Sequence, residues 1–361
     1  MAACQKQLAV EGAEALVLFP SVDMQYLSGF TDEPMERHLF LILGENGEPA
    51  FVAPELYESH IEDDSWVDDV RTYGDGDDPL ALVEEVADDL DIGEGRLLVD
   101  DRMWAQFTLD LRETFPAADF GLASEVIGEL RVRKSKAEVD ALRRAGVAAD
   151  AAMADVHDLG SDAVGMTETE LAAYIEDRLT VHGGEETSFA PIVGSGPNGA
   201  KPHHRHGDRE IDVGDPVVLD FGTRIDGYPS DQTRTVVFGG DPPSEFKTVH
   251  EVVREAQQAA IETIQPGVPA EAVDTAAREV IADAGYGDAF IHRTGHGLGL
   301  EVHEDPYIVS GNDERLQEGM VFSVEPGVYF DGKFGVRIED IVVVTTDGCE
   351  RLNDTSRDWR A

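Results

Sequence analysis

LDFGTRIDGYPSDQTRT, residues 219–235, places two acids, Asp220 and Asp231, inside what otherwise reads as a β-hairpin. Asp226-Gly227 is a two-residue type I′ turn signal, flanked by PVVLDFGT and SDQTRTVVF. If Ile225 pairs with Tyr228, Gly222 falls opposite Asp231 and Asp220 opposite Thr233. The two carboxylates then emerge on one face as diagonal neighbours, roughly 7–8 Å apart, and Gly222 leaves room above Asp231. Strand interiors are poor in Asp, so something must compensate. A divalent cation would relieve the repulsion; a solvated hairpin face would tolerate it.

VFSVEPGVYFDGKFGVRIEDIVVV, residues 321–344, repeats the pattern, with Asp331-Gly332-Lys333 as a three-residue turn. If Phe330 pairs with Phe334, Glu325 lies directly opposite Glu339, with Pro326 interrupting the ladder locally. Like charges directly opposed across strands are destabilising, which again calls for a cation. Between the hairpins, IHRTGHGLGLEVHEDP (residues 291–306) supplies His296 in a glycine setting and His303. Those glycines lack the context of a phosphate loop and are read as letting backbone approach a crowded site. Upstream, SGPNGAKPHHRHGD (residues 195–208) adds His203, His204 and His206, of which at most one is expected to reach the site. Four carboxylates carry about −4, which two divalent ions balance, and oxygen-rich ligation with an imidazole suits Mn²⁺, Fe²⁺ or Co²⁺. Metal-assisted hydrolysis is the implied reaction class.

The rest of the chain bounds this reading. Its 361 residues are 42% hydrophobic, enough for two domains. With 74 acids against 28 bases the formal net charge is −46, a surface that repels nucleic acid and anionic membranes and suits concentrated salt. A halophile's cytosol is therefore a reasonable setting. Only Cys4 and Cys349 occur, so no disulfide framework is implied, and no apolar run approaches a membrane span. A cytoplasmic location is expected.

Residues 1–128 alternate short apolar runs (EALVLF, HLFLIL, PAFVA, RLLVD) with helical stretches such as DPLALVEEVADDL, which predicts an α/β layer structure carrying little direct chemistry. A second domain, residues 129–361, begins in ELRVRKSKAEVDALRRAG, where Ser135 and Glu138 form a capping box opening a long helix; Thr167 and Glu170 form another. Two further helices, roughly 244–264 and 269–284, lie between strand pairs, so this half is α+β.

DFGTRIDGYPSDQTRT, HRTGHGLGLEVHE, SVEPGVY and GVRIED together resemble the motifs of the pita-bread metallopeptidases, which include methionine aminopeptidase, aminopeptidase P and prolidase. Asp220, Asp231, His296, Glu325 and Glu339 match the family's five metal ligands, at spacings similar to the prolidase branch. SVDMQYLSGF (residues 21–30) and LRVRKSKAEVDALRRA are similar to parts of the N-terminal creatinase-like domain and the interdomain helix. The resemblance implies an α/β creatinase-like domain followed by an α+β pita-bread catalytic domain, with two divalent ions per chain, Mn²⁺ or Co²⁺. It implies that Asp231 and Glu339 bridge them, that Asp220 chelates one, and that His296 and Glu325 complete the other. His203 and His303 match histidines that hold substrate, Arg337 the Arg beside the last ligand, and Glu325 the acid of proton transfer. His204 and His206 are left as surface residues. The implied activity is an Xaa-Pro dipeptidase acting on short proline-containing peptides, with an aminopeptidase on longer peptides as the alternative and a homodimer as the assembly. A non-catalytic peptide-binding module of the same fold is disfavoured because no ligand is missing.

Overall fold

A computed structural model describes all 361 residues, which divide into two compact units, Met1–Arg131 and Val132–Ala361. In the first, the apolar runs form a six-stranded mixed sheet in the order Asp69–Tyr73, Ala50–Pro54, Phe40–Gly44, Ala13–Leu18, Arg96–Val99, Asp119–Leu122. Successive side chains enter different cores: Leu16 and Leu18 pack with Leu8, Met24 and Ile127, whereas Val17 and Phe19 pack with Val83, Val86 and Phe107. Helices thus cover both faces, which is why these strands read as continuous rather than alternating apolar runs.

The second unit uses one arrangement twice, a pair of helices backing an acid-bearing hairpin. Lys136–Asp158 and Glu168–Val181 open with the two anticipated capping boxes. Their apolar faces, including Met153, Leu171 and Ile175, pack on Leu219, Phe221 and Val236 of the first hairpin. Phe246–Thr263 and Ala270–Asp283 do the same for the second, burying Val249, Val253 and Val273 against Phe322, Val336 and Val342. No helix is long and apolar enough to cross a membrane.

Both turns set the anticipated register. Asp226 and Gly227 have φ of 51° and 78°, as a type I′ turn requires, and Ile225 pairs with Tyr228 and Asp220 with Thr233. In the second hairpin Phe330 pairs with Phe334 and Val324 with Asp340, and the same alignment sets Glu325 opposite Glu339. Each hairpin divides into separate sheets at its acids: Pro216–Phe221 with Gln232–Val237 lies in one, Thr223–Ile225 with Tyr228–Pro229 in another. Val321–Val324 with Asp340–Val344 likewise separates from Gly327–Phe330 with Phe334–Arg337 around Pro326. Asp231, Glu325 and Glu339 sit at the seams, outside the paired strands, and Asp220 lies one residue from the end of its own.

Gly222 corrects one expectation. The space beside it is filled, because a Cβ there would lie 1.8 Å from the Ser230 carbonyl oxygen and 3.0 Å from Ser188 Oγ. The glycine permits a backbone pinch at the seam, next to Asp231. Gly222→Ala is expected to cost about 1–3 kcal/mol, the usual scale of overpacking, and to lower the melting temperature by several degrees. An unchanged melt would show that the pinch carries no structural weight.

Candidate metal centre

The two seams and the GHG strand Gly295–Gly297 meet at one cavity of about 410 Å³. Its walls include Asp220, Asp231, His296, Glu325 and Glu339 together with His203, His303 and Arg337, the ligand and substrate-holding candidates of the sequence. Within this set Asp231, His296 and Glu339 bring their ligand atoms within 4.8 Å of one another, and all three are buried. Glu325 Oε1 stands 3.4 Å from His296 Nε2, and Asp231 Oδ2 3.8 Å from the same nitrogen. The His303 ring meets the His296 ring edge-on at 4.2 Å between centres. His203 is exposed on the cavity wall.

The surroundings prepare these atoms to bind cations. His296 Nδ1–H donates to the Gly297 carbonyl at 3.1 Å, which leaves the Nε2 lone pair facing the carboxylates. Burial, then the neighbouring His303, pushes this imidazole down to about 3, so it stays neutral and able to ligate. Asp231 and Glu339 are both held well above the carboxylate range, first by burial and then by other acids of the cluster. Glu325 is pushed up to about 7, again by burial, with Arg337 opposing. Asp220 Oδ1 and Asp231 Oδ1 are buried without a hydrogen-bond partner. Orphaned carboxylate oxygens beside a bare imidazole nitrogen suit divalent cations, which ligate through these atoms. The residues present therefore fit a metal centre.

Arg337 alters the charge count. Its buried guanidinium bonds Asp220 Oδ2 at 2.5 Å, Thr233 Oγ1 at 3.0 Å, the Tyr329 hydroxyl at 2.9 Å and the Pro202 carbonyl at 3.3 Å. Four carboxylates therefore face one fixed cation. Glu339 accepts from Thr233 Oγ1 at 2.7 Å, and Glu325 from Ser323 Oγ at 3.2 Å. These hydroxyls fix the rotamers of the two acids, and the sequence reading passed over them. A period-two count would have found them, since Thr233 lies two residues after Asp231 and Ser323 two before Glu325. His292, four residues before His296, lines the cavity and bonds the Tyr329 hydroxyl at 3.0 Å. Phe189, Ile192 and Val302 give the cavity an apolar wall.

His204 is not the surface residue it was taken for. Its Nε2 bonds Glu168 Oε2 at 2.7 Å, and Glu168 has no exposed surface. His206 contacts Thr169 Oγ1 through Nδ1 at 3.3 Å and stays out of the cavity.

Known proteins match the chain along its length. Residues 1–133 match the creatinase/prolidase N-terminal domain and residues 140–346 metallopeptidase family M24. The chain is 44% identical over 347 residues to the probable dipeptidase PepE of Mycobacterium tuberculosis, covering 95% of this chain and 90% of that protein. It is 37% identical over 361 residues to the Xaa-Pro dipeptidase of Lactobacillus delbrueckii subsp. lactis, covering 99% and 97%. The crystal structure of prolidase from Thermococcus sibiricus superposes with a TM-score of 0.92 at 41% identity, over 99% of this chain and 96% of that one. A creatinase-like first domain and a pita-bread second domain are thus shared with enzymes of one kind: the chain belongs to metallopeptidase family M24, in its prolidase branch, and is a peptide hydrolase.

Proposed function

We propose that the protein is an Xaa-Pro dipeptidase, and the observation that carries this reading is the cavity at the two hairpin seams, where orphaned Asp oxygens meet the bare nitrogen of His296. Asp231 and Glu339 would bridge two divalent cations, Mn²⁺ or Co²⁺, with Asp220 on one and His296 and Glu325 on the other. Such a pair of ions would supply Lewis acidity to a substrate carbonyl and lower the pKa of a bound water. That chemistry suits an Xaa-Pro bond, because the imide nitrogen carries no hydrogen for backbone recognition.

The protein's own groups do the rest. Phe189, Ile192 and Val302 offer an apolar wall to a pyrrolidine ring, and a cavity of about 410 Å³ falls in the range of small-molecule sites. His203 and His303, on the wall, hold the substrate carbonyl and the charge that develops on it. Glu325, whose Oε1 accepts from Ser323 Oγ and faces His296 Nε2 at 3.4 Å, is placed to carry a proton to the leaving nitrogen. Arg337, saturated by Asp220, Thr233, Tyr329 and Pro202, is committed to holding the acids in place. Arg293 also lines the cavity; it stacks on Tyr307 at 4.3 Å without an acidic partner. It is thus free to meet the carboxylate that a dipeptide presents one residue beyond the scissile bond. A homodimer, implied by the family resemblance, in the cytoplasm of a salt-adapted cell, a setting supported by the acidic surface, completes the reading.

The test compares an Xaa-Pro dipeptide with an Xaa-Pro-Yaa-Yaa peptide, after metal stripping and readdition of Mn²⁺ or Co²⁺ in high salt. Hydrolysis of the dipeptide is expected with either ion. Cleavage of the longer peptide alone would make the protein an aminopeptidase, and cleavage of neither would remove the Xaa-Pro reading.

A further inference from the structure

His203 makes no hydrogen bond to the protein, so its place on the cavity wall is set by its neighbours. Two contacts bracket it. On one side the Pro202 carbonyl accepts from Arg337 Nη1 at 3.3 Å. On the other, His204 Nε2 bonds Glu168 Oε2 at 2.7 Å. Glu168 also takes Gly207 N–H on Oε2 at 3.2 Å, and on Oε1 the Ser195 N–H, Ser195 hydroxyl and Asn198 amide at 2.8, 2.7 and 3.0 Å. One buried carboxylate thus gathers five donors spread over residues 195–207, the loop that carries His203. Its own position is rigid, since it begins the helix Glu168–Val181 and its backbone N–H bonds the Arg209 carbonyl at 3.0 Å. Burial opposes its charge, but the bonds from His204, Ser195 and Asn198 prevail and hold the carboxyl below its ordinary value.

We propose that Glu168 is a positioning residue for peptide hydrolysis, a buried latch that works through His204 to fix His203 on the cavity wall. This rests on the peptidase reading above. Glu168 accepts from all five groups, and Gln does not reproduce this: it offers one acceptor oxygen, and its NH₂ would confront the Gly207 N–H and force His204 into the opposite tautomer. Glu168 touches none of the cavity acids, so its loss should leave metal binding intact while loosening His203.

The experiment is a double-mutant cycle in the full chain, with Glu168→Gln and His203→Ala made singly and together, reading kcat, KM and bound metal. Glu168→Gln is expected to lower kcat/KM about 10–100-fold, the range for removing a supporting partner, with metal content unchanged. In the His203→Ala background the same substitution should have no further effect, because the residue it positions is gone. Equal losses in both backgrounds, or a wild-type rate in folded Glu168→Gln, would overturn the latch. If Glu168→Gln does not fold, His204→Asn takes its place in the cycle, with the same outcomes. A wild-type rate for His203→Ala alone would instead count against the role given to His203, which separates failure of the site reading from failure of the latch.

Discussion

Asp231→Asn is expected to lower kcat/KM by about 10³-fold or more and, at the same time, to raise the melting temperature of the metal-free protein at pH 8. The two effects share one cause. Asp231 is buried with Oδ1 lacking any partner, and burial together with Glu339, Asp220 and Glu325 resists its ionisation. An Asn of the same shape cannot ionise, so it removes the cost of either burying this charge among like charges or holding its proton at pH 8, and the metal-free fold is stabilised. With Asp231 in the bridging role proposed above, its loss removes the electrostatic stabilisation on which a carbonyl hydrolase depends, a term usually worth at least two to three orders of magnitude. Metal content per chain, steady-state rates and melts in chelator measure the three quantities. A variant with wild-type rate and full metal content would refute the bridging role. A lower melting temperature in chelator would refute the electrostatic account.

The second large effect is the pH dependence of the metal-free protein. Glu325 rises from the ordinary carboxylate value of 4.5 to about 7, and Asp231 and Glu339 also rise, in each case through burial first. Between about pH 4.5 and 7 the folded chain therefore holds protons that the unfolded chain has released. These acids contribute stability that is present below about pH 4.5 and lost as pH rises through their folded values, Glu325 alone on the order of 3 kcal/mol. His250, His292 and His296, pushed down to about 4, 4 and 3 by burial, act oppositely, adding stability as pH rises to 6.5, so the net fall is expected above about pH 6.5. Bound cations favour the ionised carboxylates, so the stabilisation they confer should be small at pH 5 and large at pH 8. Melts in chelator and in Mn²⁺, at both pH values and in high salt to screen the surface charge, read this directly. A metal-free melting temperature that is flat or rises between pH 6.5 and 8 would contradict it. The slope should flatten in Asp231→Asn.

Much of the centre could be read along the chain because hairpin register is local. Asp226-Gly227 and Asp331-Gly332-Lys333 each fix a strand pairing within about ten residues of the acids they align, and the alternation of strand side chains does the rest. The capping boxes at Ser135 and Thr167 are equally short-range, and both were legible. What escaped was contact between distant segments. Nothing near Glu168 shows that His204, 36 residues on, will cover it; an acid in the first turn of a helix ordinarily faces water. Arg337 and Asp220 lie 117 residues apart, so their pairing, which changes the charge balance of the cavity, belongs to the tertiary fold. The crowding at Gly222 arises from Ser230 across the hairpin, where register gives the partner but not how closely the two backbones approach.

The division of each hairpin into two sheets bears on how this chain can change in length. Loop tips usually absorb insertions easily, since they lie at the surface and carry few contacts. Here the paired segments on the turn side of each seam are only two to four residues long, and the acids lie just beyond them. One residue added at 226–227 would shift one arm against the other, carrying Asp231 away from Asp220 or turning it to the opposite face. The same holds for Glu325 and Glu339 about residues 331–333. The two surface turns thus act as spacers cut to length, and their residue count is constrained as closely as the identity of the acids they align.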